Sequence, residues 1–309
     1  MSQLEQLLKD DTAGDPMTDL KWTRKTTHTL SDELGAQQVS VCPNTVGRLL
    51  RDLKYSLHVN RKSIAETRHP DRDQQFRYLT GLQGEFLGRG QPVISVDSKK
   101  RELVGNFKNA GATYRREGDK ALMHDFPSLA EGVALPYGLL DLVRNEGYVV
   151  VGTSHDTSAF AVEAIELWLS TYGWWHYPDM TEVLILCDAG GSNSCRTRLW
   201  KYALYQRLAQ EHGISVTVCH YPSGASKWNP ADHRLFSFIS LNWQGVPLRT
   251  YETVLNRIRT TTTRTGLTVD ATLDRTDYPT RVKVGDDEFS HINIHRHETL
   301  PQWNYTIDC

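Results

Sequence analysis

The 309-residue sequence predicts an α/β fold, a mixed sheet flanked by helices, behind an N-terminal segment made of helices alone. Three observations carry this. Short apolar runs bounded by turn residues recur from residue 92, and in the second half they alternate with helical periodicity, as parallel strands with crossover helices do. Before residue 90 the apolar repeats are helical only. Asp97, Asp188 and Asp232 each stand where an apolar strand ends or a helix begins, and no other acidic trio is placed that way.

Residues 1–60 read as a helix-turn-helix domain. Residues 22–34 have a helical pattern, Gly35 and Gln38-Val-Ser-Val41 make the break, and residues 43–54 form a second helix with Pro43 near its start. In that helix Val46, Leu49, Leu50 and Leu53 recur at i, i+3, i+4 and i+7, which puts them on one buried stripe. Arg48, Arg51 and Lys54 are left off the stripe, where a recognition helix in a major groove holds its phosphate contacts. A small helical bundle with an exposed basic face is the alternative. The formal net charge of −2 conceals a local bias, because residues 21–77 hold 11 Lys and Arg against 6 Asp and Glu, a surplus of 5.

Residues 61–90 form a polar connector that leads into a helix at about 74–87. Strand-like runs follow at 92–97, 101–107, 134–143 and 148–152. A helix at 157–172 places Ala161, Ala164, Ile165, Trp168 and Tyr172 on one face, with Asp156 as its N-cap. Then come a strand at 183–187, a helix at 194–212, a strand at 214–219 and a helix from about 230. Counting three strands, the third open to being split, then helix, strand, helix, strand, helix, the order matches the ribonuclease-H-like fold. That fold occupies residues 91–250, and residues 251–309 are a C-terminal extension.

The N-terminus has no basic start followed by an apolar core, so it is not a secretory signal. No uncharged apolar run reaches the roughly 18 residues of a membrane span. The expected location is therefore the cytoplasm, with no membrane partner. Five cysteines, an odd number without a C-x-x-C pair, argue against a disulfide framework or a zinc ribbon.

In a ribonuclease-H-like sheet the first strand lies beside the strand that follows the first helix. Asp97 and Asp188, 91 residues apart in sequence, then end on adjacent strands, and Asp232 opens the helix across the same end. Clustered carboxylates raise one another's pKa, a conflict that Mg2+ or Mn2+ resolves. Two such ions roughly 3.5 to 4 Å apart stabilise both the attacking and the leaving oxygen of an in-line displacement at phosphorus. The expected chemistry is metal-assisted, with Asp97, Asp188 and Asp232 as metal ligands. Any one of the three, taken alone, also fits an ordinary turn residue.

Lys99, Lys100 and Lys227 stand close in sequence to these acids, where they could hold flanking phosphates, although Lys100 fits a solubilising role equally. Trp228 suits base stacking or, more simply, a packing anchor. Gly190-Gly191 suits a tight turn into a helix capped by Ser192 or Asn193, and His233 reads as an ordinary residue at a helix N-terminus. His291, His295 and His297 lack the accompanying cysteine pair of a zinc site. Asp125 and Asp156 are rival acids, Asp156 being better explained as a cap.

The stretches Val93-Ile-Ser-Val-Asp-Ser-Lys-Lys-Arg-Glu-Leu-Val-Gly-Asn-Phe-Lys-Asn-Ala-Gly111, His155-Asp-Thr-Ser-Ala-Phe-Ala-Val-Glu163, Asp188-Ala-Gly-Gly-Ser-Asn193, Ser226-Lys-Trp-Asn229, His233-Arg-Leu-Phe236 and Thr261-Thr-Thr-Arg-Thr-Gly-Leu-Thr268 resemble the ISAzo13-type insertion-sequence transposases. The resemblance runs over about residues 4–307. It implies a bacterial DDE-type transposase with a ribonuclease-H-like domain that cuts and joins DNA using magnesium. Asp97 and Asp188 match the first two catalytic acids. At the third position the family pattern usually carries Glu, where this chain has Asp232. Asn229-Pro-Ala-Asp232-His-Arg-Leu-Phe236 is also similar to the segment of mariner-type transposases whose third acid is Asp. The implied reaction is attack of water on the phosphodiester at an element's end, followed by attack of the freed 3′-hydroxyl on target DNA. The implied partners are terminal inverted repeats, target DNA and further copies of the chain assembled on DNA. A catalytically inactive DNA-binding relative and a structure-specific nuclease are the competing readings.

Overall fold

The computed structural model describes residues 2–14, 21–23, 25–53, 55, 70–114, 116–222, 224–225 and 228–309. The chain divides into two compact units, Met1–Ile64 and Ala65–Cys309.

The first unit contains α1 (Ser2–Asp11), the antiparallel pair β1 (Thr12–Gly14) and β2 (Lys21–Thr23), α2 (Thr27–Ala36) and α3 (Pro43–Asp52). Leu4 and Leu8 of α1, Leu30 and Leu34 of α2 and Val46 of α3 are buried together, with Leu49, Leu50 and Leu53 packed against them. The apolar stripe read from the sequence is therefore the surface that holds the unit together. Thr26 caps α2 by accepting from the Thr29 N–H at 3.1 Å. The helix runs through Gly35, where the sequence suggests a break, and ends at Ala36 with Gln37 as its cap, after which Gln38 takes the left-handed conformation at φ 62°. Val39 N donates to Leu34 O and Gln38 N to Gly35 O, so the last carbonyls are satisfied by a Schellman closure without glycine. Arg48 and Arg51 stand exposed on α3. Lys54 lies outside the described residues.

The second unit opens with α4 (Arg72–Gly88). In order follow β3 (Val93–Ser98), β4 (Glu102–Val104), β5 (Gly132–Asp141), β6 (Glu146–Gly152), α5 (Ser158–Trp168), α6 (Trp174–His176), β7 (Glu182–Asp188), α7 (Arg198–Leu204) and β8 (Ser215–Tyr221). The remaining elements are α8 (Ser237–Trp243), α9 (Tyr251–Arg259), β9 (Thr268–Asp274), α10 (Asp286–Ser290), β10 (Asn293–Arg296) and β11 (Asn304–Asp308). A π-helical stretch, Ala231–Phe236, leads directly into α8.

Among the described residues one nine-stranded sheet runs β10-β11-β8-β7-β3-β5-β6-β9, with β4 paired to β5. Within it, β3, β5 and β6 are antiparallel neighbours, and β3, β7 and β8 are parallel ones. This is the ribonuclease-H-like arrangement, with the strand that carries Asp97 at its centre. Residues 251–309 join the same sheet, β9 parallel to β6 and β11 antiparallel to β8.

The strand count departs from the sequence reading in one respect. The run at 134–143 and 148–152 is two strands rather than one split strand, folded back through a turn in which Asn145 adopts φ 57°. The Asp141 carboxylate fixes that turn by accepting from the Val143 and Arg144 N–H groups. The run at 101–107 shrinks to three-residue β4, which pairs with the start of β5.

The strand periodicity of two sorts β3 onto two faces. Ile94 and Val96 belong to the core under α5 and α7, and Val93 faces the core under α4. On that second face the π-helical stretch, α8 and α9 cover β5, β6 and β9 through Leu235, Phe236, Ile239 and Val254. Gln75 of α4 and Asn304 of β11, both fully buried, exchange amide hydrogen bonds at 2.7 Å, and Gln75 also donates to His220 O at 2.9 Å. Each buried amide is thereby satisfied, and α4 is registered against β8 and β11.

Candidate active site

The parallel register of β3 and β7 pairs Val96 with Cys187, so the next residues, Asp97 and Asp188, leave the sheet side by side. Cys187 belongs to the core under α5 and α7. By alternation Asp188 faces the other way, as do Asp97 and Ser95, toward the helix that carries Asp232.

That helix sits close to the sheet because two strand positions lack side chains. Gly138 pairs with Asp97 across β3 and β5. A Cβ at Gly138 would stand 2.6 Å from Phe236 and 2.9 Å from Leu235, and one at Gly147 would stand 2.5 Å from Leu235. The glycines admit Leu235 and Phe236 against the strands, which sets the height of Asp232 on the preceding turn. Asp232 lies in the π-helical stretch rather than a regular helical turn.

Asn229 joins the pieces. Fully buried, it donates through Nδ2 to Asp188 Oδ1 and to Val96 O, each at 3.3 Å. Its Oδ1 accepts from Ser95 Oγ at 2.7 Å and from Ala231 N at 3.1 Å, while Ser95 Oγ accepts from the same Ala231 N–H at 3.2 Å. One amide thus ties β3, the acid of β7 and the start of the helix that carries the third acid.

A second chain of hydrogen bonds supports Asp188 from the opposite side. Trp200 Nε1 donates to Tyr305 OH at 3.0 Å, and Tyr305 OH lies 3.0 Å from His220 Nε2. His220 Nδ1 lies 3.1 Å from Asp188 O. The Asp188 carbonyl can only accept and the Tyr305 oxygen already accepts from the indole, so the arrangement that satisfies every group puts the imidazole proton on Nδ1, directed at the Asp188 carbonyl, and points the phenol proton at Nε2. Burial pulls the His220 pKa down to about 4, so the ring remains neutral and keeps that tautomer.

The electrostatics follow from this crowding. Burial, then the Asp188 carboxylate, push the Asp97 pKa up to about 7, against one opposing hydrogen bond from Ser98 N–H. Asp232 and Asp156 add to the rise. Burial also raises Asp188; Asn229 opposes the shift and Asp232 adds to it. The charge of Asp232 therefore reaches both Asp97 and Asp188. Among the described residues, however, no three Asp, Glu, His or Cys side chains close around a single ion position. The donor set is carboxylate oxygen with a suppressed charge, which fits a hard divalent cation held through few protein ligands plus water and substrate phosphate. The acids Asp97 and Asp188 border an open cleft of about 420 Å³ with Gly190, Gly191 and Pro222.

The supporting residues divide. Lys99 Nζ binds Glu102 at 3.1 Å and lies 4.9 Å from the centre of the Trp243 ring. Lys227 lies outside the described residues. Trp228 packs near Phe76 beneath the Arg72 guanidinium, 4.0 Å from its ring centre. Gly191 turns the chain at φ 66°, but neither Ser192 nor Asn193 caps a helix. Asn193 instead accepts from Tyr137 OH at 2.8 Å and Ser192 O from Ser158 Oγ at 2.6 Å, which hold the loop after Asp188. The cap of α5 is Thr157, not Asp156, so Asp156 is free to add its charge to the site.

Asn229, Ser95, His220 and Tyr305 are absent from the candidates read in the sequence. Ser95 carried a signal, a hydroxyl inside an apolar central strand that must find a partner.

Residues 3–309 match the family described as Rhodopirellula transposase DDE domain. No curated protein sequence matches the chain. Among solved structures, the chain is similar to the Mos1 transposase paired-end complex with left transposon end, at 15% identity and TM-score 0.44 over 82% of this chain and 68% of that one. It is similar also to a pre-cleavage Mos1 transpososome, at 16% identity and TM-score 0.43 over 82% and 68%. A third is the Mos1 mariner paired end complex with Mn, at 16% identity and TM-score 0.42 over the same shares. By the match across nearly its whole length, this chain belongs to the Rhodopirellula transposase DDE domain family.

Proposed function

We propose that this chain is the transposase of a bacterial insertion sequence, cleaving DNA at the element's ends and joining the freed 3′ ends to target DNA through Asp97, Asp188 and Asp232. The observation that carries the reading is the pairing of Asp97 and Asp188 on the ends of adjacent parallel strands, with Asp232 raising the pKa of both. A pair of Mg2+ or Mn2+ ions held by the three aspartates would supply positive charge to the phosphorus-bound oxygens. The chain's own part is positional. Asn229 and His220 hold Asp188 by its carboxylate and its carbonyl, and the glycine-backed contact of Leu235 and Phe236 holds the segment of Asp232. With its raised pKa, Asp97 takes a proton readily near neutrality, and a bound cation would favour its charged form.

Arg48 and Arg51 of α3, exposed opposite the buried stripe, support recognition of terminal inverted repeats by the first unit, and Lys54 belongs to the same proposal. Lys99 and Lys227 are proposed to meet phosphates beside the scissile bond, Lys99 after exchanging Glu102 for DNA. Two ends must be processed together, so a homo-oligomer on DNA within the nucleoid is part of the proposal. Among the described residues no helix is long and apolar enough to cross a membrane.

The test is a cleavage and strand-transfer assay on duplexes that carry the DNA flanking the native gene, with and without Mg2+. Nicking and joining that require both the metal and each aspartate support the reading. Cleavage without joining identifies a nuclease, and binding without nicking an inactive relative.

A further inference from the structure

We propose that a second cleft, bounded by Arg196, Lys201 and Arg296, binds backbone phosphates of the DNA strand that continues out of the acid cleft. This rests on the reading of the chain as a DNA strand-transferring enzyme. The cleft holds about 510 Å³ and shares Ala189 as a wall with the cleft of Asp97 and Asp188. Cys195 N closes back on Ala189 O at 3.4 Å, so the loop after Asp188 is the partition between the two.

The charge of the two clefts is opposite. Four cations, Arg196, Arg198, Lys201 and Arg296, line the second one, and no acid does. Asp286 neutralises Arg198. Among the described residues Arg196, Lys201 and Arg296 have no carboxylate within ion-pair distance, and Arg196 and Arg296 are exposed. Lys201 is the informative member. Only 4% exposed, it donates to Cys195 O and lies 5.3 Å from the centre of the Tyr305 ring. A buried ammonium with no counter-charge is expensive to maintain, and an anion entering the cleft removes that cost. Burial and Arg296 draw its pKa below the ordinary lysine range, as expected for a cation awaiting its partner. A pocket lined by four cations and no acid suits an anionic ligand. It suits a phosphodiester of a strand that also reaches the adjoining acid cleft, since phosphate contacts fix register without reading sequence.

The experiment is an anisotropy titration of a short fluorescein-labelled duplex of arbitrary sequence, in EDTA so that no chemistry occurs, across a range of salt. The full chain is compared with Arg196→Ala/Arg296→Ala and with Arg89→Ala/Arg144→Ala. The control pair loses the same charge at the opposite end of the strands, where Arg89 meets Glu182 at the start of β7 and Arg144 follows the end of β5. Because any contribution from the first unit is common to all three proteins, only the difference matters. The cleft variant should bind more weakly, with a salt exponent lower by about 1.8, two contacts at about 0.9 each. The control should keep the wild-type exponent. Equal exponents for all three, or equal losses in both variants, overturn the subsite and leave the transposase reading intact. A wild-type chain that binds no DNA overturns both.

Discussion

The side-chain amide of Asn229 donates to the Asp188 carboxylate at 3.3 Å from a position with no solvent exposure at all. A buried amide with every polar atom committed cannot rotate without breaking several hydrogen bonds, so it fixes one carboxylate orientation. Asn229→Ala removes that hold and leaves the Ser95 hydroxyl without its acceptor. Partners of this kind typically change metal affinity or activity by about 10- to 100-fold. Stability should fall by about 1 to 3 kcal/mol, the cost of orphaned buried groups. Steady-state cleavage and thermal melting report the two effects separately. Wild-type turnover in a folded Asn229→Ala protein would refute the positioning role.

Crowding at Asp97 yields a pH dependence with a definite sign. Its pKa rises from an ordinary 3.8 to about 7 in the folded chain. Between those values the native state binds more protons than the unfolded one, so the metal-free protein loses stability as pH climbs from about 4 to about 7 and then levels off. The ceiling of the effect is about 4 kcal/mol, at roughly 1.4 kcal/mol per pKa unit. Asp97→Asn should flatten the curve. Magnesium added above pH 7 should raise the melting temperature of the wild-type chain and not that of Asp97→Asn, because a ligand of the folded state stabilises by mass action. Calorimetric melts across pH, with magnesium and with EDTA, decide it.

The parts of this architecture that could be read beforehand are those written in local periodicity. Val46, Leu49, Leu50 and Leu53 mark their helix, the runs before Asp97 and Asp188 mark parallel strands, and the element order implies the sheet order that makes those two acids neighbours. What could not be read depends on contacts between distant segments. Nothing near Asn304 in sequence announces its amide exchange with Gln75, and the return of β11 beside β8 makes a partner of Tyr305 for His220. Turn chemistry misled where an unexpected residue took the left-handed position, as Gln38 does after α2 in place of Gly35.

Gly138 offers a test of how the third acid is placed. It stands opposite Asp97, and an added methyl group would meet Phe236 at 2.6 Å and Leu235 at 2.9 Å. Gly138→Ala must therefore lift the helical stretch that carries Asp232 or twist those side chains from their rotamers, at a cost of about 1 to 3 kcal/mol. Cleavage should fall further than that loss of stability explains, since the displaced element carries an acid. Activity measured well below the melting temperature of the variant separates the two. Retained cleavage with an intact fold would show that Asp232 does not depend on this contact.

Tyr305 is the distant support of Asp188. Its hydroxyl accepts from Trp200 and reaches His220 Nε2, each at 3.0 Å, and so decides which imidazole nitrogen keeps the proton aimed at Asp188 O. Tyr305→Phe keeps the ring that packs in the core and deletes only the oxygen, leaving the Trp200 N–H and one His220 nitrogen without partners. A loss of about 1 to 3 kcal/mol in stability is expected. The distinguishing readout is nitrogen NMR of His220. The wild-type chain should show a neutral ring protonated at Nδ1 through neutral and mildly acidic pH, consistent with a pKa near 4, and the variant should show a mixture of tautomers. A His220 ring that keeps a single Nδ1 proton without the phenol would mean that the Asp188 carbonyl alone sets it, and the link from β11 to the acid would be broken.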